Sequence, residues 1–518
     1  MTNKIFCASL VGTQTRVIEI ESAFTRGLPS FSITGLATSS IQESKGRVQS
    51  ALANSRFTLP PLKINVNLFP SDIQKSGSYF DLPIALVLYV HSQQLSDTDR
   101  IWFAFGELGL DGSIKYTPSI YPLLFDLALI KPNSHIIVPK CAREILSVIP
   151  NLHLHFASSL QEALDIITTP SLGQEALESE LVDKKEFFQK FGFSFLQIGT
   201  HYYYYMPHFA LDFKEVYGQE LAKRAALIAS AGFHNIIFEG SPGCGKSMIA
   251  KRMRYILPPM GLDEMMYSLK LNSLDLLQAL EYSALRPFRN PHQSASKASI
   301  LGSATQFEPK PGEIALAHNG ILFFDELPYF KRDILESLRE PLENNKMTIS
   351  RVHSKLEYDT SFLFVGAQNP CPCGNLLSTS KECRCQDKEI TAYKNRLSEP
   401  FLDRIDMFVQ MNEHRDVIPS AQELDSQSMF ELVCKAFVFA KNRGQKNFNG
   451  KLTESQIKDF CVLESEAENI LLKAIQNFGL SLRAQNKLKK ISRTIADLEQ
   501  SDVIRKNHVL EALSFRKI

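Results

Sequence analysis

The stretch "NIIFEGSPGCGKSMIAKRM", residues 235–253, decides the fold. It has the pattern of an apolar strand, a glycine-rich turn and a helix. Glycines let such a turn curl until its backbone N–H groups face a phosphate at the helix N-terminus. The pattern predicts that Lys246 reaches the β and γ phosphates of a nucleotide and that Ser247 binds magnesium. The predicted phosphate loop consists of Gly240, Ser241, Pro242, Gly243, Cys244, Gly245, Lys246 and Ser247.

Two further apolar strands end in polar side chains of the kind that a nucleotide site needs. The strand in "NGILFFDELPYF", residues 319–330, ends in Asp325 and Glu326. We expect Asp325 to hold Mg²⁺ and Glu326 to polarise the attacking water. The strand in "SFLFVGAQN" ends in Asn369, whose amide is predicted to orient that water, although it would alternatively only cap the loop. ATP and Mg²⁺ are therefore the expected cofactors.

Three arginines are candidates for stabilising the charge that develops during hydrolysis. The segment "RLSEPFLDRID" contains Arg396 and Arg404, and "LSLRAQNKL" contains Arg483. An arginine finger reaches the nucleotide of a neighbouring subunit. Arg404 is the first choice for this role and Arg396 the second, while Arg483 is predicted to reach the nucleotide from within its own chain. The alternative is that each arginine forms an ordinary surface ion pair.

Length and composition restrict the class of protein. At about 150 residues per domain, a chain of 518 residues suggests about three domains. The 57 Lys and Arg residues nearly balance the 56 Asp and Glu residues, so nucleic acid would have to contact a local patch or a lined pore. The longest apolar run, at residues 84–90, is far below the roughly 20 residues of a membrane span, and the N-terminus has no signal-peptide core. We expect a cytoplasmic protein with no membrane segment.

The chain divides into four parts by pattern. Residues 1–165 alternate strand-like and helix-like segments, and "KINVNLF" at 63–69 has the alternation of a strand. Residues 166–209 are predicted to be a linker, in which the tyrosine run "HYYYYMPHF" is interpreted as a packed or interfacial segment. Residues 210–412 are predicted to be an α/β module, and 413–518 are predicted to be helical. In the last part, apolar residues recur at helical spacing, namely Leu488, Ile491, Ile495 and Leu498.

Four of the nine cysteines cluster in the order C-x-C, nine residues, C-x-C: Cys371, Cys373, Cys383 and Cys385. Two chelating pairs joined by a short loop can surround one tetrahedral Zn²⁺. A thiol cluster without metal and a pair of disulfides are the alternatives, the latter disfavoured in a reducing compartment. We predict a metal clip at the subunit boundary between Asn369 and Arg404. Chelation would then weaken assembly or stability before it affects nucleotide binding.

These motifs resemble those of the YifB/ComM family, within the magnesium-chelatase-like branch of AAA+ ATPases. Further similar segments are "GLPSFSITGL", "SGSYFDLPIAL", "GELGLDG", "RPFRNPHQSAS" and "SLRAQNKLKKISRTIADL". The resemblance implies a Lon-protease-like N-terminal α+β domain, a AAA+ P-loop module and a C-terminal helical lid. By the same resemblance Gly240 to Ser247 are Walker A, Asp325 and Glu326 are Walker B, Asn369 is sensor 1 and Arg483 is sensor 2.

The resemblance also implies an activity and partners. Members form a hexameric ring that hydrolyses ATP, and the ComM proteins move DNA branch points while single-stranded DNA is integrated during natural transformation. The partners expected here are therefore single-stranded and branched DNA, bound without sequence preference, and further copies of the chain. A magnesium-chelatase-like ATPase that remodels a protein is an alternative.

A Lon-like domain raises the further alternative of an ATP-dependent protease. Active domains of this kind use a serine that is activated by a buried lysine. The resemblance places Tyr79 at the serine position and Tyr121 at the lysine position, which predicts an interaction or assembly domain. A pairing of Ser78 with Lys115 would instead support a protease.

Two basic segments are candidates for DNA contacts. The residues "NNKMTISRVHSKLEYD", 344–359, have the pattern of two short strands around a turn. In the family this hairpin points into the central pore, where Arg351, His353 and Lys355 would contact phosphates. The alternative is an exposed basic hairpin tip. The second segment is "ALRPFRNPHQSASKASILGS", residues 284–303. Its basic residues are predicted to contact either DNA or another subunit, namely Arg286, Arg289, His292 and Lys297.

Overall fold

The computed structural model describes residues 4–11, 14–93, 101–169, 184–274, 280–304, 309–351, 354–412 and 424–516. Mixed α and β structure extends over about the first four fifths of the chain, and helices make up the last fifth. The α/β character predicted from the sequence is thereby confirmed.

The N-terminal part is built on a seven-stranded sheet with helices packed against it. The strands of this part are β1 (Lys4–Val11), β2 (Gln14–Thr25), β3 (Ser30–Thr34), β4 (Lys63–Phe69), β5 (Trp102–Ala104), β6 (Glu107–Leu108), β7 (Ile114–Lys115), β8 (Ser134–Pro139) and β9 (Leu152–Ala157), of which β6 and β7 form a separate two-stranded sheet. Its helices are α1 (Ser39–Asn54), α2 (Asp81–Ser92), α3 (Ile120–Ile130), α4 (Arg143–Leu146) and α5 (Leu160–Thr168). The sheet order is β3-β4-β2-β1-β5-β8-β9. The strand predicted at residues 63–69 is confirmed as β4, since Ile64, Val66 and Leu68 are buried on one face.

Part of the predicted linker is folded. It contains α6 (Lys184–Lys190) and an antiparallel hairpin of β10 (Ser194–Ile198) and β11 (His201–Tyr205). The tyrosine run forms β11, and the rings of Tyr203 and Tyr205 contact Phe437 and Phe430 at centroid distances of 5.0 and 5.1 Å. The run is therefore a packed segment, as predicted, and it joins the hairpin to the C-terminal helices.

The central module contains a five-stranded parallel sheet. The strands of this module are β12 (Ile236–Gly240), β13 (Met260–Gly261), β14 (Phe288–Arg289), β15 (Gly302–Ala304), β16 (Pro309–Pro311), β17 (Ile321–Phe324), β18 (Lys346–Arg351), β19 (Ser354–Asp359), β20 (Leu363–Gln368) and β21 (Met407–Met411). The helices are α7 (Glu220–Gly232), α8 (Lys246–Met253), α9 (Leu262–Ser273), α10 (Lys297–Leu301), α11 (Glu313–Leu316), α12 (Arg332–Ser337), α13 (Arg339–Asn344), α14 (Asp387–Lys394) and α15 (Glu399–Leu402).

The order of the parallel sheet is β14-β17-β20-β12-β21. All residues of β17 are buried, which is why this strand is a continuous apolar run rather than an alternating one. Because β12, β17 and β20 are parallel neighbours, their carboxyl ends meet at one edge of the sheet. The polar residues that follow these strands are thereby brought together.

The C-terminal part consists of helices. They are α16 (Ser426–Asn442), α17 (Glu454–Phe460), α18 (Ser465–Phe478), α19 (Leu482–Leu498) and α20 (Lys506–Ser514). The predicted apolar stripe of α19 is confirmed, because all four of its residues are buried: Leu488, Ile491, Ile495 and Leu498. They share one core with the sheet, and His234 and Thr494 form a hydrogen bond of 2.7 Å across it. No helix in the described part of the chain is both long enough and apolar enough to span a membrane.

The N-terminal part docks on the central module through α3 and α9. Lys270 forms a 2.6 Å ion pair with Asp126, and both side chains are largely buried. Tyr121 and Tyr282 share a hydrogen bond of 3.2 Å, and Tyr282 donates to the carbonyl of Ile145. This contact fixes the position of α9 relative to the N-terminal sheet.

Candidate active site

The predicted phosphate loop runs from the end of β12 to the start of α8. Gly243 and Gly245 have φ angles of 84° and 96°, a region that glycine enters without steric cost. A Cβ atom at Gly240 would lie 2.6 Å from the carbonyl oxygen of Met411, so a side chain does not fit there either. The glycines of the motif are therefore required by the curled path and by its close contact with β21.

Lys246 lies within the loop and contacts a second predicted residue. Its Nζ donates to the carbonyl oxygens of Gly240 and Ser241 at 2.6 and 2.9 Å, and to Asn369 Oδ1 at 3.2 Å. Burial lowers the pKa of Lys246, although the neighbouring Cys244 and Asp325 oppose this shift. The structure thus brings the end of β20 to the phosphate loop, as the sequence predicts.

Ser247 and Asp325, the two predicted magnesium ligands, are also adjacent. Ser247 Oγ donates to Asp325 Oδ2 at 2.8 Å. A hydroxyl and a carboxylate are oxygen ligands of the kind that Mg²⁺ prefers, so the pair fits the ion. Glu326 is exposed and has a φ of 52°, and its N–H donates to Asp325 Oδ1 at 3.0 Å. A positive φ at a residue other than glycine is a strained conformation that clusters at functional sites.

One pair at this edge was not predicted. Gln368 Nε2 donates to Glu239 Oε2 at 2.6 Å, and these two residues lie opposite each other in the register of β20 and β12. Each directly precedes a predicted site residue, so parallel pairing of the two strands was the signal that could have revealed the contact. The pair ties the start of the phosphate loop to the start of the Asn369 segment.

The four clustered cysteines form a compact group. All nine cysteines lie in the described residues and carry free thiols. The Sγ atoms of Cys371, Cys373 and Cys383 are 3.5 to 3.7 Å apart, and the four sulfurs all lie within 4.8 Å of one another. Zn–S bonds of about 2.3 Å give tetrahedral S···S distances of about 3.8 Å, so the spacing fits one Zn²⁺. The N–H of Cys373 donates to Cys385 Sγ at 3.4 Å.

The predicted arginines of the finger and the lid meet at a residue that was not predicted. The guanidinium groups of Arg404 and Arg483 both donate to the carboxylate of Glu343 on α13. Arg404 also donates to the carbonyl of Pro400, while its buried Nε has no partner among the described residues. No contact in the described part of the chain joins Arg483 to the phosphate loop, so its role at its own nucleotide stays a prediction.

The backbone around Arg404 is held from two sides. Lys487, one turn after Arg483 on α19, donates to the carbonyls of Asp403 and Ile405. Asn235, directly before β12, donates to the carbonyl of Arg404 at 3.1 Å. The finger candidate is therefore connected to the base of the phosphate-loop strand and to the C-terminal helices.

Arg396, the second finger candidate, has a different environment. Its guanidinium lies over the rings of Tyr329 and Tyr393, at 5.4 and 6.0 Å from their centroids. Tyr329 follows Glu326 by three residues. Arg396 is therefore held beside the end of β17 in its own chain and is separate from the pair at Glu343.

The alternative protease dyad does not form in this structure. Ser78 Oγ donates to Glu107 at 2.5 Å, and no contact among the described residues joins it to Lys115. Tyr79 and Tyr121, which occupy the positions of the catalytic serine and lysine in the resemblance to Lon-type proteases, are both buried.

The two basic segments are described to different extents, with side chains for the segment of Arg286 and Arg289 but with backbone alone at the tip of the hairpin. Arg286 is buried, with only 2% of its surface exposed, so the prediction that it contacts DNA or another subunit is wrong. Its guanidinium is fully used inside the chain, and Arg289 forms a 2.6 Å ion pair with Glu313. The predicted hairpin is confirmed as β18 and β19, whose last pair joins Arg351 to Ser354. His353 lies outside the described residues, and only the backbone is described for Arg351 and Lys355.

The order of the parallel sheet and the residues at its carboxyl edge define a class of protein, the P-loop ATPases of AAA+ type. Family comparisons agree over most of the chain. The family described as "Magnesium chelatase, subunit ChlI" matches residues 212–417, "Subunit ChlI of Mg-chelatase" matches 20–142, and "Magnesium chelatase, subunit ChlI C-terminal" matches 423–516.

Relatives that are similar over nearly their whole length identify the family within this class. The competence protein ComM of Haemophilus influenzae is 35% identical over 522 residues, covering 99% of this chain and 97% of the relative. The uncharacterized YifB proteins of Salmonella typhimurium and Escherichia coli are each 34% identical, covering 98% of this chain and 96% of the relative. The chain belongs to the YifB/ComM family of magnesium-chelatase-like AAA+ ATPases.

Proposed function

We propose that this chain hydrolyses ATP to drive a hexameric ring that moves branch points in DNA and promotes the integration of incoming DNA during natural transformation. The observation that carries the proposal is the joining of Lys246 to Asn369 and of Ser247 to Asp325 at one edge of the sheet. Support for DNA as the substrate comes from the similarity over nearly the whole length to a competence protein.

The residues of the edge have separate roles in the proposed reaction. The phosphate loop and Lys246 bind the phosphates, and Ser247 and Asp325 hold Mg²⁺. Glu326 polarises the attacking water, which the amide of Asn369 orients. In this proposal the energy for DNA movement comes from hydrolysis at this site.

Arg404 and Arg483 are proposed to act together on the nucleotide of a neighbouring subunit, which for Arg483 replaces the expectation from the sequence that it reaches the nucleotide of its own chain. Their common partner, Glu343, favours a single target for both guanidinium groups. The cleft beside them has a volume of about 840 Å³ and is lined by Glu343 and Arg404 together with Lys297, Glu336 and Arg339. Such a cleft offers space for the edge of another subunit. The C-terminal helices would then be the lid that couples the nucleotide site of one subunit to that of its neighbour.

The hairpin of β18 and β19 is proposed to contact DNA. Arg351 is the last residue of β18 and Lys355 is the second residue of β19. A ring would repeat them around a pore, together with His353 from the sequence between the two strands. This arrangement would provide contacts to phosphates without sequence preference, although the net charge of the chain is only +1. The N-terminal domain is proposed to be a Lon-like interaction or assembly domain.

The decisive experiment measures branch migration on a synthetic four-way junction with the wild type and Lys246→Ala. We expect ATP-dependent migration with the wild type and none with the variant. A wild type without this activity, although it hydrolyses ATP, would overturn the DNA function. Arg351→Ala combined with Lys355→Ala should remove the stimulation of ATP hydrolysis by DNA, and unchanged stimulation would contradict the role of the hairpin.

A second candidate function is ATP-driven remodelling of a protein. It is favoured by the three matches to magnesium chelatase subunit families, which together extend from residue 20 to residue 516. ATP hydrolysis that does not respond to DNA would support this candidate. Proteolysis is disfavoured because Ser78 bonds Glu107, and degradation of casein that is lost in Ser78→Ala would restore it.

The four cysteines are proposed to hold a structural Zn²⁺. Their four sulfur atoms all lie within 4.8 Å of one another, a spacing that allows four thiolates to surround one tetrahedral Zn²⁺. Metal analysis of the purified protein should find one zinc per chain. A purified chain that folds and hydrolyses ATP but contains no zinc would contradict the site.

A further inference from the structure

The cysteine loop and the phosphate loop begin side by side. Glu239 and Gln368 are paired in neighbouring parallel strands and share a hydrogen bond of 2.6 Å. The phosphate loop begins at Gly240, which follows Glu239 and is the last residue of β12, and the cysteine segment follows β20 directly after Gln368. The topology therefore places Cys371 within three residues of a strand end that borders the nucleotide site.

The two loops are in direct contact at Gly374. A Cβ atom at this position would lie 2.6 Å from Cδ and 2.7 Å from Cγ of Pro242, and 3.8 Å from Cγ of Asn369. Gly374 has a φ of 79°, and its N–H donates to the carbonyl of Cys371 at 3.0 Å. The tight turn between the cysteines therefore packs its backbone against the ring of Pro242 in the phosphate loop.

A second contact joins the same segment to the site. Asn369, two residues before Cys371, accepts a hydrogen bond from Lys246 at 3.2 Å. The segment from Asn369 to Gly374 thus contacts the phosphate loop at both of its ends. A metal held by Cys371 and Cys373 would fix the residues between these two contacts.

We propose that the Zn²⁺-bound cysteine loop forms one wall of the nucleotide site and that its metal sets the affinity for nucleotide. This inference rests on the proposed ATPase function and on the proposed zinc site. It reverses the prediction from the sequence that chelation acts on assembly before nucleotide binding, because Gly374 lies against the phosphate loop. Without metal, the wall must be ordered when nucleotide binds, and ordering a loop lowers affinity.

The first test removes zinc from the full-length wild type with TPEN, a chelator that binds Zn²⁺ far more tightly than Mg²⁺. Binding of a fluorescent ADP analogue and zinc content are measured before removal, after removal and after zinc is added back. We expect affinity to fall by about tenfold and to return with the metal, in parallel with the zinc content. Unchanged affinity after loss of zinc would overturn the inference.

A substitution at Gly374 separates the effect of the contact with Pro242 from the effect of the bound zinc. Gly374→Ala should keep one zinc per chain but lower the affinity for the ADP analogue, because the new Cβ collides with Pro242. Gly444→Ala is a matched control, since Gly444 has a φ of 81° but, apart from its chain neighbours, no atom of the described residues lies within 4 Å of the place of its Cβ. Adding Pro242→Ala should restore part of the affinity lost in Gly374→Ala. Equal effects of the two glycine variants would show strain alone and contradict the contact.

Two controls distinguish this inference from the proposed function. Cys383→Ser should lose zinc and nucleotide affinity together, whereas Cys141→Ser, an exposed cysteine outside the cluster, should change neither. Lys246→Ala should lose nucleotide affinity while it keeps zinc. If the zinc-loaded wild type binds no nucleotide, the ATPase function itself fails. If it binds nucleotide equally well with and without zinc, only the inference fails.

Discussion

Arg286 differs from the pair of Arg404 and Arg483 in how the hydrogen-bond donors of the guanidinium group are used. Arg286 is buried, and its five N–H donors meet five acceptors: the carbonyls of Pro258, Pro259 and Asn319 and both carboxylate oxygens of Glu264. Arg404 and Arg483 instead share one carboxylate, and the Nε of Arg404 has no partner in the described chain. A saturated guanidinium holds a fold together, whereas an unsaturated one retains donors for another acceptor.

Aromatic contacts also distinguish Arg286 from Arg483. The guanidinium of Arg286 lies over Phe233 and Phe448, at 5.2 and 5.4 Å from the ring centroids. The two rings are stacked at 4.2 Å and belong to the central module and the C-terminal part. Arg286 therefore binds two parts of the chain to each other. The side chain of Arg483, by comparison, is 46% exposed, and its ion pair is open to water.

The largest effect is expected for Arg404→Ala. Loss of an arginine finger lowers hydrolysis by about 10³-fold or more, so turnover should fall to that extent while nucleotide affinity and thermal stability stay near the wild-type values. Steady-state ATP hydrolysis, binding of a fluorescent ADP analogue and thermal unfolding measure the three properties.

Mixing variants tests whether Arg404 acts between subunits. Arg404→Ala and Lys246→Ala should each be inactive alone. In a mixed ring, some intact phosphate loops will lie beside a subunit with an intact arginine, and activity should return. Absence of recovery, with mixed assembly verified, would show that Arg404 acts within its own chain.

A smaller effect, on folding and not on catalysis, is expected for Arg286→Ala. The variant removes the donor of three carbonyls and leaves the carboxylate of Glu264 with the N–H of Gly261 as its remaining donor in the described chain. Breaking a buried ion pair costs about 3–5 kcal/mol. Urea denaturation measures the free energy of unfolding. Arg289→Ala is the matched control from the same motif, and its partly exposed pair with Glu313 should cost about 1 kcal/mol or less. Equal losses in the two variants would remove the distinction between the arginines.

These differences show what the sequence could reveal. Lys246, Asp325 and Asn369 each follow an apolar strand, and parallel pairing necessarily brings such positions to one edge. Glu343 had no comparable signal, because it lies 61 residues from Arg404 and 140 from Arg483 in the sequence. Nothing in the local pattern around either arginine identifies a common partner. The common partner is identified only by the packing of α13 beside α19 and beside the segment that contains Arg404.

The prediction that Arg286 contacts DNA or another subunit was wrong for a related reason. It occurs with Arg289 in a short basic motif, and such a motif is typical of a surface. Its burial depends on Phe233 and Phe448, which lie far from it in the chain, and on Glu264 on α9. Charge patterns along a sequence do not contain this information. The cysteine spacing was informative about zinc, whereas the contact of Gly374 with Pro242 required the fold.

The smallest effect is expected for Glu343→Gln, which keeps the shape of the side chain and removes its charge. Glu343 is 39% exposed, and ion pairs of this kind contribute about 0–1 kcal/mol. If Glu343 only positions the two arginines, turnover should therefore fall by up to about fivefold. The KM for ATP should not change, because the arginines act on a transition state in a neighbouring subunit.

Glu340→Gln is the control for this variant, since Glu340 belongs to the same helix and lines the same cleft. It should leave turnover near the wild-type value. A loss in Glu343→Gln as large as that in Arg404→Ala would mean that the carboxylate itself takes part in hydrolysis. A gain in turnover would mean that Glu343 restrains the arginines until a neighbouring phosphate displaces it. Either result would contradict a positioning role, because a partner that only orients Arg404 and Arg483 can neither replace their charge nor oppose their action.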